Sequence, residues 1–217
     1  MIDDLHLTEG HTDATLSAEF PELGLVYAEV PVRPGRSPDA VRERLRDASS
    51  RFTGGKAITL RQQPIPWAYR VFFRHVGIDP DERRSPIEAI ALERMRAGGF
   101  LSQNLVDDAL LLATLETGVP VLAFDAAAVA GRLGLRVSER GERLGGEDGD
   151  TPLSRGQLVV ADDRRALSVL FGETARGCAV QRDSSSMLIA GVRVKGVPDV
   201  SVEEALWVAA ETVTGEG

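Results

Sequence analysis

The chain reads as an α+β fold, not as a regular alternation of strand and helix. Helix signals crowd the first half of the sequence, up to Thr117, whereas strand-like runs concentrate after Gly118. At 217 residues and 43% hydrophobic content, the chain can bury a substantial core as one domain spanning residues 1–217. Aromatic residues make up only 5%, so that core must be mainly aliphatic.

Each element carries its own signal. Leu25 to Val32 is rich in Val, Leu and Tyr and predicts a strand, ended by Arg33-Pro34-Gly35. Ser37-Pro38 predicts a helix start, with Ser as cap and Pro in the first turn. Val41, Leu45 and Ala48 share one face of this helix, and Gly54-Gly55 breaks it. Pro66 to Val76 is a short helix stopped by Gly77. Ser85-Pro86-Ile87-Glu88 is a capping box for a helix that ends at Gly98-Gly99. Leu105 to Thr117 follows with Val106, Leu110 and Ala113 on one face, and Gly118 terminates it.

Val119 to Phe124 then predicts a buried strand. Arg140 to Gly156 is glycine-rich and acidic and reads as a surface loop. Leu158 to Ala161 and Ala166 to Phe171 predict a hairpin around Asp162-Asp163-Arg164-Arg165. A further strand is expected over Met187 to Val194. Ser201-Val202-Glu203-Glu204 reads as a second capping box, opening a helix toward Thr214. The tail Gly215-Glu216-Gly217 is expected to be disordered.

Several chemistries find no support. No run approaches the roughly 20 apolar residues of a membrane helix. The N-terminal Met-Ile-Asp-Asp puts acids where a signal peptide needs positive charge, so a cytoplasmic location is expected, with no membrane partner. Cys178 is the only cysteine, and with His6, His11 and His75 it offers no zinc spacing; neither metal nor cofactor is expected. Gly145-Gly146 is flanked by Glu142, Glu147, Asp148 and Asp150, which would repel phosphate. Asp148 and Asp150 begin like a calcium loop, but the remaining ligands are missing. Ser184-Ser185-Ser186 beside Asp183 has no histidine nearby in sequence and reads as a polar lead-in to the strand at Met187.

The net charge of −8 argues against a general nucleic-acid binder, but the charge is unevenly spread. From Arg33 to Arg96 there are 14 basic and 8 acidic residues, a net of +6, which leaves −14 elsewhere. Two readings stay open: helices carrying solvated arginines, or a basic face that meets phosphates. Arg42, Arg46, Arg70 and Arg74 are the candidates for the second.

The most informative run is Ser102-Gln103-Asn104-Leu105-Val106-Asp107-Asp108, followed by Gly118-Val119-Pro120-Val121-Leu122-Ala123-Phe124-Asp125. It resembles the stretch of the B3/B4 family, the editing domain of the phenylalanyl-tRNA synthetase β subunit, that reads Ile-Asn-x-Val-Val-Asp, a helix, then Gly-x-Pro-x-His-Ala-Phe-Asp. Gly77-Ile78-Asp79-Pro80 and Ser85 to Arg94 are similar to the freestanding members. Gly156 through Val160-Ala161-Asp162-Asp163, with Ala166 to Gly172, is similar to the family's strand-turn-strand leading into a glycine-bearing loop. The resemblance covers roughly Phe20 to Thr214 and is clearest over residues 66–194.

It implies a layered β/β/α sandwich, a tRNA or aminoacyl-tRNA partner, and hydrolysis of the ester of a misacylated tRNA. The alternative is a non-catalytic module that binds tRNA or an amino acid in a degenerate editing pocket. The resemblance puts Asn104, Leu122, Ala123, Gly172 and Glu173 at the substrate, and Glu173 or Thr174 in the place of the carboxylate that recognises a hydroxyl. The helix-Gly-Val-Pro-strand order predicts that Asn104 begins a helix packed beside the strand around Val121, both lining one concavity. Leu122 departs from the family: it stands where the histidine that positions water would be, and leucine can neither donate nor accept a hydrogen bond. No residue is therefore assigned as catalytic.

Overall fold

The computed structural model describes residues 5–52, 55, 59–147 and 149–215. Gly54, Asp148, Glu216 and Gly217, on which some of the expectations above fall, lie outside the described residues. The protein is an α+β fold of two four-stranded sheets and, among the described residues, six α-helices.

The first sheet has the order β1 (Thr8–Glu9), β3 (Gly24–Pro31), β8 (Ser186–Arg193), β4 (Val121–Asp125), all antiparallel. The second has the order β2 (His11–Thr12), β5 (Gly134–Val137), β6 (Leu158–Ala161), β7 (Ala166–Val169), with β2 parallel to β5. The chain crosses between the sheets at Gly10, whose N–H donates to the Leu25 carbonyl at 2.7 Å while the next N–H, of His11, donates to Leu133. A Cβ at Gly10 would lie 3.0 Å from both Leu25 Cβ and the Leu133 oxygen, so any side chain here would push the two sheets apart by a few tenths of an ångström.

Successive side chains on a strand point to opposite faces, which sets the layers. Val26, Gly191 and Val121 are in register on one face of the first sheet. A Cβ on Gly191 would meet Val202 of α6 (Asp199–Thr214) at 2.8 Å, so this face carries the helices. There α6 packs with α5 (Leu105–Thr117), burying Ala109, Leu112, Ala113, Ala205, Leu206 and Ala209. The opposite face of β8 is buried as well, at Leu188, Ala190 and Val192. A strand buried on both faces is the middle layer of a sandwich, and the second sheet, whose β6 and β7 are themselves almost wholly buried, completes the β/β/α arrangement.

Four more helices surround these layers: α1 (Ala14–Glu19), α2 (Asp39–Arg51), α3 (Pro64–His75) and α4 (Pro86–Ala97). The expected capping box is present at α4: Ser85 and Glu88 bond each other, and Gly98 ends the helix at φ 77°. α5 runs over the expected residues and stops at Gly118, φ 78°.

Two expected caps are not there. Ser37 does not cap α2: its hydroxyl donates to Asp108 at 2.5 Å, and α2 begins at Asp39 behind Pro38. Ser201 lies inside the first turn of α6, which begins at Asp199 with no side-chain cap bond. The hairpin strand β7 also stops two residues early, because Phe171 turns to φ 55°. Among its described residues the loop 140–156 holds no helix or strand, yet buried Leu144 and Leu153 anchor it.

Candidate functional site

A cavity of about 490 Å³ opens between edge strand β4 and the Phe171-Gly172 turn that follows edge strand β7. Its walls come from α4 (Pro86, Ile90, Ala97), from α5 (Asp107, Leu110, Leu111), from β4 (Val121, Leu122) and from the Phe171-Gly172 turn. The lining is mainly apolar, with Arg84, Glu93 and Arg94 as its charged members on the α4 side. This is the composition of a small-molecule site: an apolar bed with a few polar groups that orient the ligand.

Two of the expected substrate residues, Leu122 and Gly172, meet in this cavity. Leu122 is half-buried and sits opposite Ala190 of β8, on the face away from the helices. Ala123, one residue on, pairs with Ile189 of β8 and is not part of the wall, which β4 enters through Val121 and Leu122. Gly172 follows a strained residue. Phe171 is the only non-glycine at positive φ among the described residues. It is held there by stacking on Phe73 (centroids 5.7 Å apart) and by the edges of Tyr69 and Phe72. A Cβ on Gly172 would lie 2.9 Å from Arg83 Nη2 and 3.0 Å from Val169 Cγ1.

Asn104 and Glu173 are placed differently from the expectation. Asn104 is the N-cap of α5: its Oδ1 accepts from the Asp107 N–H at 3.0 Å, and its Nδ2 donates to the Asp107 carboxylate at 2.6 Å. Both ends of the side chain are used within the helix turn. The helix it opens does line the cavity beside β4, but through Asp107, Leu110 and Leu111. Glu173 is exposed, and its carboxylate accepts from the Thr151 hydroxyl at 3.4 Å instead of joining Leu122 and Gly172.

A residue that sequence reasoning passed over organises this corner. Asp108 is 1% exposed and takes three donors: the hydroxyls of Ser37 and Ser102, both at 2.5 Å, and the Gln103 N–H at 2.9 Å. It binds the approach to α2, the entry to α5 and the cavity wall into one unit. Its neighbour Asp107 gave a local helix-start signal; Asp108 gave none, since one of its partners lies 71 residues away. Arg94, also passed over, bonds the Ser49 carbonyl of α2 at 2.9 Å.

The candidate phosphate contacts separate into two kinds. Arg46 and Arg74 are exposed, and Arg74 lies 5.7 Å above the ring of Trp67. Arg42 is half-buried and paired with Asp39. Arg70 must be withdrawn: it is 3% exposed, and its guanidinium is held by Glu88 at 2.6 Å and Asp81 at 2.7 Å. Burial disfavours the Arg70 charge, but the bonds from Asp81 and Glu88 outweigh it and raise its pKa further. A guanidinium buried to this degree, and bonded to buried Glu88 and exposed Asp81, is closed to a phosphate.

Among the described residues, no cluster of three or more His, Cys, Asp or Glu side chains is arranged to hold a metal ion, and no helix is long and apolar enough to cross a membrane. Cys178 is fully buried, and burial pushes its thiol pKa up, so it stays protonated.

The fold class is a layered α+β domain with an apolar cavity at its sheet edges, and sequence comparison makes it particular. Residues 68–194 match the family model described as the B3/4 domain, and the chain belongs to that family. It is 38% identical over 89 residues to the phenylalanine–tRNA ligase β subunit of Streptomyces avermitilis, an alignment covering 41% of this chain and 10% of that protein. The β subunit from Vibrio parahaemolyticus is 36% identical over 92 residues, covering 41% of this chain and 12% of the relative. The chain thus matches only about a tenth of the length of these curated relatives. Among solved structures, an N-terminal fragment of the phenylalanyl-tRNA synthetase β subunit from Pyrococcus horikoshii aligns with a TM-score of 0.43 and 13% identity, over 94% of this chain and 47% of that one.

Proposed function

We propose that the protein binds aminoacyl-tRNA with the aminoacyl group in the cavity between α4, α5 and β4, and that it hydrolyses the ester of a misacylated tRNA. The observation that carries this reading is the meeting of Leu122 and Gly172 in one apolar cavity inside the matched B3/4 region. An aminoacyl ester is already activated, so the protein need only hold its acyl carbon within reach of water and exclude the wrong side chains. Water adds to the acyl carbon, the tetrahedral intermediate collapses, and the ribose hydroxyl leaves with a proton. The neighbouring free hydroxyl of the terminal adenosine can relay that proton, so a side-chain base at position 122 is dispensable.

The test is single-turnover release of labelled amino acid, with protein in excess, across a panel of misacylated tRNAs. Release above the uncatalysed rate on at least one tRNA is expected, and Gly172→Val, which crowds the turn against Arg83 and Val169, is expected to abolish it. One specific observation favours a second reading, a binding module without chemistry: the apolar Leu122 side chain occupies the family's histidine position. Rates indistinguishable from the blank on every tRNA, alongside measurable tRNA binding, would decide for that reading.

A further inference from the structure

We propose that a second cavity, on the far side of Phe171, is a site for a free α-amino acid with a bulky apolar side chain. This cavity encloses about 380 Å³ between α1, α3 and the second sheet, within the range of small-molecule sites. The chain has 7 phenylalanines, and four of them, Phe20, Phe72, Phe73 and Phe171, line this one space. In a protein so poor in aromatics, that concentration marks a wall built for apolar contact. Phe20 meets Phe72 edge-on at 5.8 Å, and Phe171 stacks on Phe73, so the rings brace one another and the space is preformed.

The polar members of the lining make the ligand class more specific. They are Glu19, His75, Arg83 and Gln157; Glu19 is the one carboxylate and Arg83 the one guanidinium among them, and both are exposed. Among the described residues neither has an ion-pair partner. Arg83 makes a bond of only 3.4 Å, to the Phe171 carbonyl. One uncommitted anion and one uncommitted cation beside an aromatic cavity match the zwitterion of an α-amino acid, its ammonium toward Glu19 and its carboxylate toward Arg83. A fatty or aryl acid would satisfy Arg83 and leave Glu19 without a partner; an amine would do the reverse. The site is distinct from the cavity at Leu122, although Phe171 stands in the wall of both.

The test is calorimetric titration of the whole protein with L-phenylalanine and L-leucine, with 3-phenylpropionate and 2-phenylethylamine as single-charge controls. No tRNA is present, so the result is independent of any ester hydrolysis. Saturable binding of at least one amino acid is expected, with each control about tenfold weaker or more. Arg83→Gln and Glu19→Gln are each expected to weaken binding about tenfold; both side chains are exposed, so the fold tolerates the changes. The proposal is overturned by the absence of binding with either amino acid, or by 3-phenylpropionate binding as tightly as L-phenylalanine. Loss of binding in Leu122→Trp with none in Arg83→Gln would assign the ligand to the other cavity and overturn it equally.

Discussion

Asp108 shows how one side chain can hold a site together without touching a substrate. Its buried carboxylate serves two hydroxyls and a backbone N–H. Removing it leaves the buried Ser37 hydroxyl without its partner and unties the entry to α5, and Asp108→Ala is expected to lower the unfolding free energy by about 2 kcal/mol in urea titrations. Asn104→Ala removes only a cap and is expected to cost about 1 kcal/mol, with Asn104→Ser restoring most of it. The role of Asn104 at a helix start was legible from its neighbours. That of Asp108 was not, because Ser37, read as a cap for its own helix, spends its hydroxyl across the fold instead. Leu122, expected at the site from the family resemblance, lines the cavity in register with Ala190, whereas Ala123 beside it does not, a difference that the local sequence does not encode.

Among the elements, α3 and α4 are tied by the Arg70–Glu88 pair, and Glu88 also closes the capping box of α4. Glu88→Ala is therefore expected to destabilise by about 3 kcal/mol, since it leaves the buried Arg70 guanidinium with only the exposed Asp81 and uncaps a helix; thermal melts would measure it. Acid should loosen two other links. The bond from Arg70 lowers the Asp81 pKa, and the bond from Arg136 lowers that of Glu142. A folded pKa below the unfolded value, roughly 4 for these groups, means the unfolded chain binds more protons. Their contribution is complete above that value and lost as pH falls through the folded pKa values. Melting temperature should fall on acidification below about pH 4, with a shallower slope in Arg136→Met. Long elements with local start and stop signals, such as α4 and α5, were legible in advance. The two-residue strands β1 and β2 were not, since two positions carry no periodicity and their pairing is set by Gly10 between the sheets.

Across the whole molecule, the basic stretch survives as an asymmetry but with fewer available charges than its sequence count suggests. Arg70 is consumed inside and Arg42 is paired, which leaves Arg46 and Arg74 as the exposed candidates. If they meet tRNA phosphates, the double substitution Arg46→Glu, Arg74→Glu should weaken binding and reduce the slope of log affinity against log salt by roughly 1.5 to 2. An unchanged slope in filter-binding titrations would move the interface elsewhere. The buried thiol of Cys178 has a separate use at this scale. As the sole cysteine, fully covered and protonated, it cannot be alkylated until the surrounding structure opens. The rate of its modification by iodoacetamide is thus a single-site clock for that opening. Timed with and without bound tRNA or amino acid, it reports whether a ligand at either cavity holds the sandwich shut.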